Sequence, residues 1–92
     1  MLTLPETLTH ELAAEFTLGL KKLVHAEPAA VLADASALKV FDSSALAVLL
    51  ACRREAIAAG KPFAVFGLPA RLQQLARLYG VADLFPQAPQ AA

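Results

Sequence analysis

An α/β domain is the fold class this sequence predicts, and three observations predict it. Apolar runs of strand length alternate with longer segments of helical period. Glycine or proline stands at most of the joints between them. The chain has 92 residues, which is enough for one small domain and not for two. The expected architecture is a single mixed sheet of about four strands with helices mainly on one face, formed by residues 1–86. Residues 87–92 read as a flexible C-terminal tail, because "QAPQAA" is small and polar.

The elements follow in order. "LTLP", Leu2 to Pro5, alternates apolar and polar residues and ends in a proline, which fits an edge strand. From about Thr9, Leu12, Phe16, Leu20, Leu23 and Val24 recur at helical spacing. Glu11 and Glu15 lie near the start and Lys21 and Lys22 near the end, which predicts one helix closing at "AEP". Gly19 inside it costs roughly 1 kcal/mol relative to alanine and reads as a close packing contact. "AAVLADAS" is a short apolar run between turn signals, as in a strand buried on both faces. Val40-Phe41 reads as the end of a core strand, and the main helix runs from about Ser44 to Ala59 with Gly60 as its stop. "KPFAVFGLP" predicts another buried strand. "ARLQQLARLYG" predicts a helix with Leu72, Leu75, Ala76 and Tyr79 along one face and Gly80 as its cap. "VADLFP" predicts a closing edge strand.

Composition narrows the function classes. Charged residues are 17% of the chain, less polar material than a domain of this size usually spreads over its surface, which favours a partner or self-association as a homodimer. The formal net charge is zero and the basic residues are scattered, so neither a nucleic-acid footprint nor a polybasic membrane patch is expected. Cys52 is the only cysteine, which rules out an internal disulfide. No signal-peptide pattern opens the sequence, and the apolar stretch Ala45 to Cys52 is too short to span a bilayer. A cytoplasmic protein is expected, reaching any membrane only through another protein.

The inventory for catalysis is thin. His10 and His25 lie fifteen positions apart with no second ligand at metal spacing, so no zinc site is expected. Cys52 falls inside the main helix without an evident base and reads as core. Gly60 and Gly67 bracket a strand, and neither opens a phosphate-binding loop. No enzyme activity, cofactor or metal is expected.

One junction stands apart. In "ALKVFDSSALAVLL" a β-branched and aromatic pair breaks into Asp42-Ser43-Ser44 and continues as an Ala/Leu-rich helix. The plain reading is an N-cap: a serine oxygen accepts a free helix amide, and Asp42 is favoured beside the positive end of the helix dipole. A hydroxyl at a strand-to-helix corner of an α/β fold is also where ligand and partner contacts emerge. A phosphate there would add nearly two charges at a helix N-terminus. Capping and docking remain compatible.

The run from Phe41 to Pro86 resembles a STAS domain, the fold of anti-sigma factor antagonists and of the cytoplasmic tails of sulfate transporters. The carrying motif is a strand ending in Asp-Ser followed by a small residue and leucine, here Asp42-Ser43-Ser44-Ala45-Leu46, with Ala45 where glycine is usual. "LQQLARLYGVADLFP" is similar to the third helix and ending of MlaB-type members. That resemblance implies a non-catalytic subunit on the cytoplasmic ATPase of an ABC transporter that moves phospholipid between inner and outer membranes. The protein would then be peripheral to the inner membrane through that partner. The alternative is an anti-sigma factor antagonist, with Ser43 the residue phosphorylated by an anti-sigma factor kinase. Either way Asp42, Ser43 and Ser44 form the implied partner face. Lys39, Arg53 and Arg54 are flanking candidates, the arginines equally readable as a solvated helix side paired with Glu55 or Glu11.

Overall fold

The computed structural model describes residues 2–87. Along them run β1 Leu2–Thr3, β2 Thr7–Leu8, α1 His10–Leu18, α2 Leu20–Ala26, β3 Val31–Asp34, β4 Val40–Phe41, α3 Ser44–Ala58, β5 Phe63–Phe66 and α4 Ala70–Leu78. A 3-10 turn over Ala82–Leu84 completes the order. The α/β class therefore holds, but the sheet differs from the expected one. β1, β3 and β5 form a three-stranded sheet in that order, β2 and β4 form a separate pair, and every strand pairing between them is parallel.

Pro5 explains the division. The Leu4 N–H still reaches the Asp34 carbonyl at 2.9 Å, extending the β1–β3 ladder. Pro5 has no N–H to continue it. The Glu6 carbonyl instead accepts the N–H groups of Lys39 and Val40 at 2.8 and 3.0 Å, and the chain re-pairs with β4. Parallel pairing then requires a crossover rather than a hairpin, and the helices supply it. Val40-Phe41 is accordingly not the end of a core strand: it is two residues long, with Val40 53% exposed.

With strand order β1-β3-β5 and right-handed crossovers, the segments between them fall on one face of the sheet. α3 packs against α1 and α2 and against β3 and β5. Its Leu46, Val48, Leu49, Cys52 and Ala56 are buried, meeting Leu20 and Val24 of α2, Val31 and Ala33 of β3 and Val65 of β5 in one core. β3 is not covered on both sides: Val31 and Ala33 are buried while Leu32 and Asp34 are half-buried, the alternation of a strand with one covered face.

Two helix expectations also change. The helix expected from Thr9 to Ala26 breaks at Gly19, which separates α1 from α2. A Cβ on this exposed glycine would meet nothing nearer than the Phe16 carbonyl oxygen at 4.0 Å, so it marks a break and not a tight contact. At the other end, "VADLFP" is not a strand. Ala and Asp are poor strand residues, and the segment coils into the 3-10 turn that buries Phe85. The edge of β5 is covered just beyond it: Val65 donates to the Pro86 carbonyl at 2.8 Å and bridges in parallel to Gln87. Of the expected tail, Gln87 takes this bridge and residues 88–92 lie outside the described residues.

The bounds of α3, β5 and α4 follow their signals closely, but of β5, expected to be buried, only Val65 is, and Tyr79, expected on the apolar face of α4, is 57% exposed. Gly60 stands just past α3 with φ +71°, a left-handed turn that ends the helix. Gly67, at φ +67°, leaves β5 where the backbone of Ser36 crosses it. A Cβ there would lie 2.8 Å from Ser36 Cβ, so this close approach requires glycine.

Candidate docking site

The site grows out of the small β2–β4 pair. Leu8 stands opposite Phe41 in a parallel register, so the residues that follow each strand emerge side by side. One strand continues through Thr9 into α1 and the other through Asp42 into α3. Two helix N-termini, each with unpaired N–H groups and the positive end of a dipole, are thereby brought to one corner.

Asp42 serves both. Its Oδ1 accepts the Ser44 N–H at 2.8 Å and its Oδ2 accepts the His10 N–H at 3.1 Å. The bond from the Ser44 N–H is the main cause that holds the Asp42 carboxyl below its ordinary value of 3.8; desolvation opposes it, and the His10 N–H adds a lesser lowering. The cap is thus the aspartate and not a serine. Ser43 sits in helical conformation at φ −61°, ψ −16°, and its hydroxyl caps nothing. It is exposed and bonds no described residue. Ser44 is half-buried in the first turn of α3.

The flanking candidates are placed differently. Lys39 is exposed just before β4, three positions ahead of Asp42. Arg53 is half-buried and Arg54 exposed, and both lie roughly 15 Å along α3 from the corner. Neither pairs with Glu55, Glu11 or any other described residue. The arginines join the corner only under a partner that covers the length of α3.

Sequence reasoning did not single out the groove that opens from this corner. Between α1 and α3 lies a concave, mainly apolar space of about 440 Å³, lined by Ala13, Ala14, Ala47 and Ala51, with His10 and Ser44 where both helices begin. Alanines at four-residue spacing on α3 were the available signal, but which face they share with α1 depends on the β2–β4 register.

For other chemistry the corner offers little. Among the described residues no group of three or more His, Cys, Asp or Glu is placed to hold a metal ion. Burial pushes the Cys52 thiol up to about 12, with the negative charge of Glu27 adding to it, so this cysteine is protonated and enclosed. No helix among the described residues is long and apolar enough to cross a membrane.

A search of curated proteins gave no match. A family model described as "Mlab, STAS domain" matches residues 1–86, which include both sheets, all four helices and the Asp42-Ser43-Ser44 corner. Motif, corner and extent of match agree, and the chain belongs to the MlaB-type STAS domain family.

Proposed function

We propose that this chain is a non-catalytic STAS subunit that binds the cytoplasmic ATPase of an ABC transporter moving phospholipid between inner and outer membranes. It regulates or stabilises that ATPase, from the cytoplasmic side and peripheral to the inner membrane. Family membership supports the class of partner. The observation that carries the choice of docking site is Ser43: an exposed hydroxyl without a bond to any described residue, in a turn that the Asp42 carboxylate closes through the Ser44 N–H and ties to α1 through the His10 N–H. Such a group offers an interface a donor and acceptor at almost no cost of reorganisation. The small-residue groove beside it lets a partner's side chains come close to both helices.

The same exposed hydroxyl suits the alternative, an anti-sigma factor antagonist phosphorylated at Ser43, because a phosphate would meet helix N–H dipoles there. It would also stand beside a carboxylate already charged, which counts against it.

The test is a binding titration of folded Ser43→Ala and Ser43→Glu proteins against a transporter ATPase, with phosphorylation by an anti-sigma factor kinase assayed in parallel. The expected result is weakened binding by Ser43→Ala and loss of binding by Ser43→Glu, with lipid transport reduced. Full-strength binding by a folded Ser43→Glu protein would move the interface elsewhere. Stoichiometric phosphate on Ser43 without ATPase binding would establish the alternative.

A further inference from the structure

Two surfaces away from the Asp42 corner remain unexplained. At the end of α4, Leu78 is 76% exposed and the adjoining Tyr79 is 57% exposed. Exposed Arg77 adjoins them, exposed Arg71 lies about two turns earlier on the same helix, and α4 contains no acid. Elsewhere, beside α1, a shallow hollow of about 260 Å³ is lined by Pro5, Thr7, Leu12, Glu15 and Phe16, almost entirely with apolar atoms. Glu11, Glu15 and the exposed Leu18 recur at helical spacing on one side of α1. One surface is an apolar knob with cationic flanks, and the other is an apolar hollow with an anionic rim. Among the described residues Glu11, Glu15, Arg71 and Arg77 have no hydrogen-bond or ion-pair partner through their side chains.

We propose that the occupant of the hollow is a second copy of this chain, seating Leu78 and Tyr79 in it with Arg77 against Glu15. This does not rest on the ATPase reading. Tyrosine and arginine are the residue types that most often anchor such contacts, and a knob complementary in charge to a hollow elsewhere on the same surface makes a head-to-tail contact between copies. The charges on the two faces are opposite. A formal net charge of zero leaves no overall repulsion to hold copies apart.

The experiment is sedimentation velocity of the full chain over a concentration series at low and high salt. Association that rises with concentration and weakens with salt is expected. Glu15→Arg and Arg77→Glu, each alone, place like charges opposite one another and should weaken it on the order of tenfold. Leu78→Ser should weaken it similarly by removing the knob. All three sites are on the surface, and circular dichroism checks that the fold persists. An equimolar mixture of the two charge variants, or the double variant Glu15→Arg/Arg77→Glu, should restore association, which a general loss of solubility or folding would not do. A wild-type protein of one constant mass up to its solubility limit would overturn the proposal, even if α4 then proves to bind another protein. So would single swaps without effect, or a double swap without rescue.

Discussion

Asp42 Oδ2 accepts the main-chain N–H of His10 at 3.1 Å across 32 positions of sequence, tying the start of α1 to the start of α3. The other oxygen of the same carboxylate closes the first turn of α3. Capping at this corner therefore belongs to Asp42, and the Ser43 hydroxyl takes no part in it.

Asp42→Ala removes one cap from each of two helices. Its melting temperature is expected to fall by roughly 4–8 °C for one lost cap, and by up to about twice that if both bonds contribute fully. Ser43→Ala should change stability by no more than about 0.5 kcal/mol. Thermal unfolding followed by circular dichroism compares them, and an equal fall in both would assign capping to the serine hydroxyl.

Acid should reverse the order of wild type and Asp42→Asn or erase their gap. The folded carboxyl titrates below its ordinary value of 3.8, so its contribution is complete above that value and is lost as pH falls through the lower, folded value. Urea midpoints at about pH 7, 5, 4 and 3 should show a constant gap down to the ordinary value and a narrowing gap beneath it. A gap that narrows already between the two highest pH values would point to another group.

Lys61 closes α2 from a distance. Its Nζ donates to the carbonyl oxygens of Val24 at 2.9 Å and His25 at 3.4 Å, and also to that of Glu27. Lys61→Met keeps the stem but removes the shared donor, leaving the Val24 carbonyl only the Glu27 N–H, and should cost about 1–3 kcal/mol. Chemical denaturation measures it. A loss below the error of the method would mean that water replaces the ammonium.

Gly67→Ala should be the most damaging of the conservative changes. The left-handed backbone alone costs about 1–2 kcal/mol for alanine, and the new methyl would press on Ser36 Cβ and on its Cα 3.0 Å away. Gly60 is the control: it shares the positive φ but a Cβ there meets nothing within 4 Å. Similar losses at both positions would show that the contact with Ser36 yields easily.

Cys52 should resist thiol reagents in the folded protein at pH 8, about the range in which a free cysteine begins to ionise, and react fully once urea has unfolded the chain. Burial is the reason, and rapid native labelling would contradict it.

The sequence made α3, β5 and α4 readable almost to the residue, because each combines a periodic apolar pattern with a glycine or proline at its end. β2 and β4 were harder to read. Strands of two residues carry no period, and Thr7-Leu8 becomes a strand only because Pro5 expels the chain from the larger sheet. Gly19 was visible as a weak helix residue, yet whether a helix bends, tightens or breaks there depends on what Leu20 and Val24 pack against. Of the site, the Asp42-Ser43-Ser44 corner was legible. Which of the three side chains caps was not, since that turns on the rotation of Ser43 into the helix and on His10 arriving from another strand. The reach of Lys61 to α2 had no sequence signal at all, because a lysine 37 positions away from its acceptor Val24 belongs to no local pattern.

Among the described residues no strand pairs through a hairpin, and this has a consequence for how the protein comes off the ribosome. β1 and β2 emerge before a strand exists for either to join, and each must wait for a whole helical segment and the strand beyond it. β5 in turn keeps a bare edge until Pro86 and Gln87 have been made. A nascent chain halted after Gly67 would hold the strands of both sheets and still expose one sticky margin. The β5 edge is thus covered only once Pro86 and Gln87 have emerged, and the interval before that is when nascent copies are most exposed to pairing with one another.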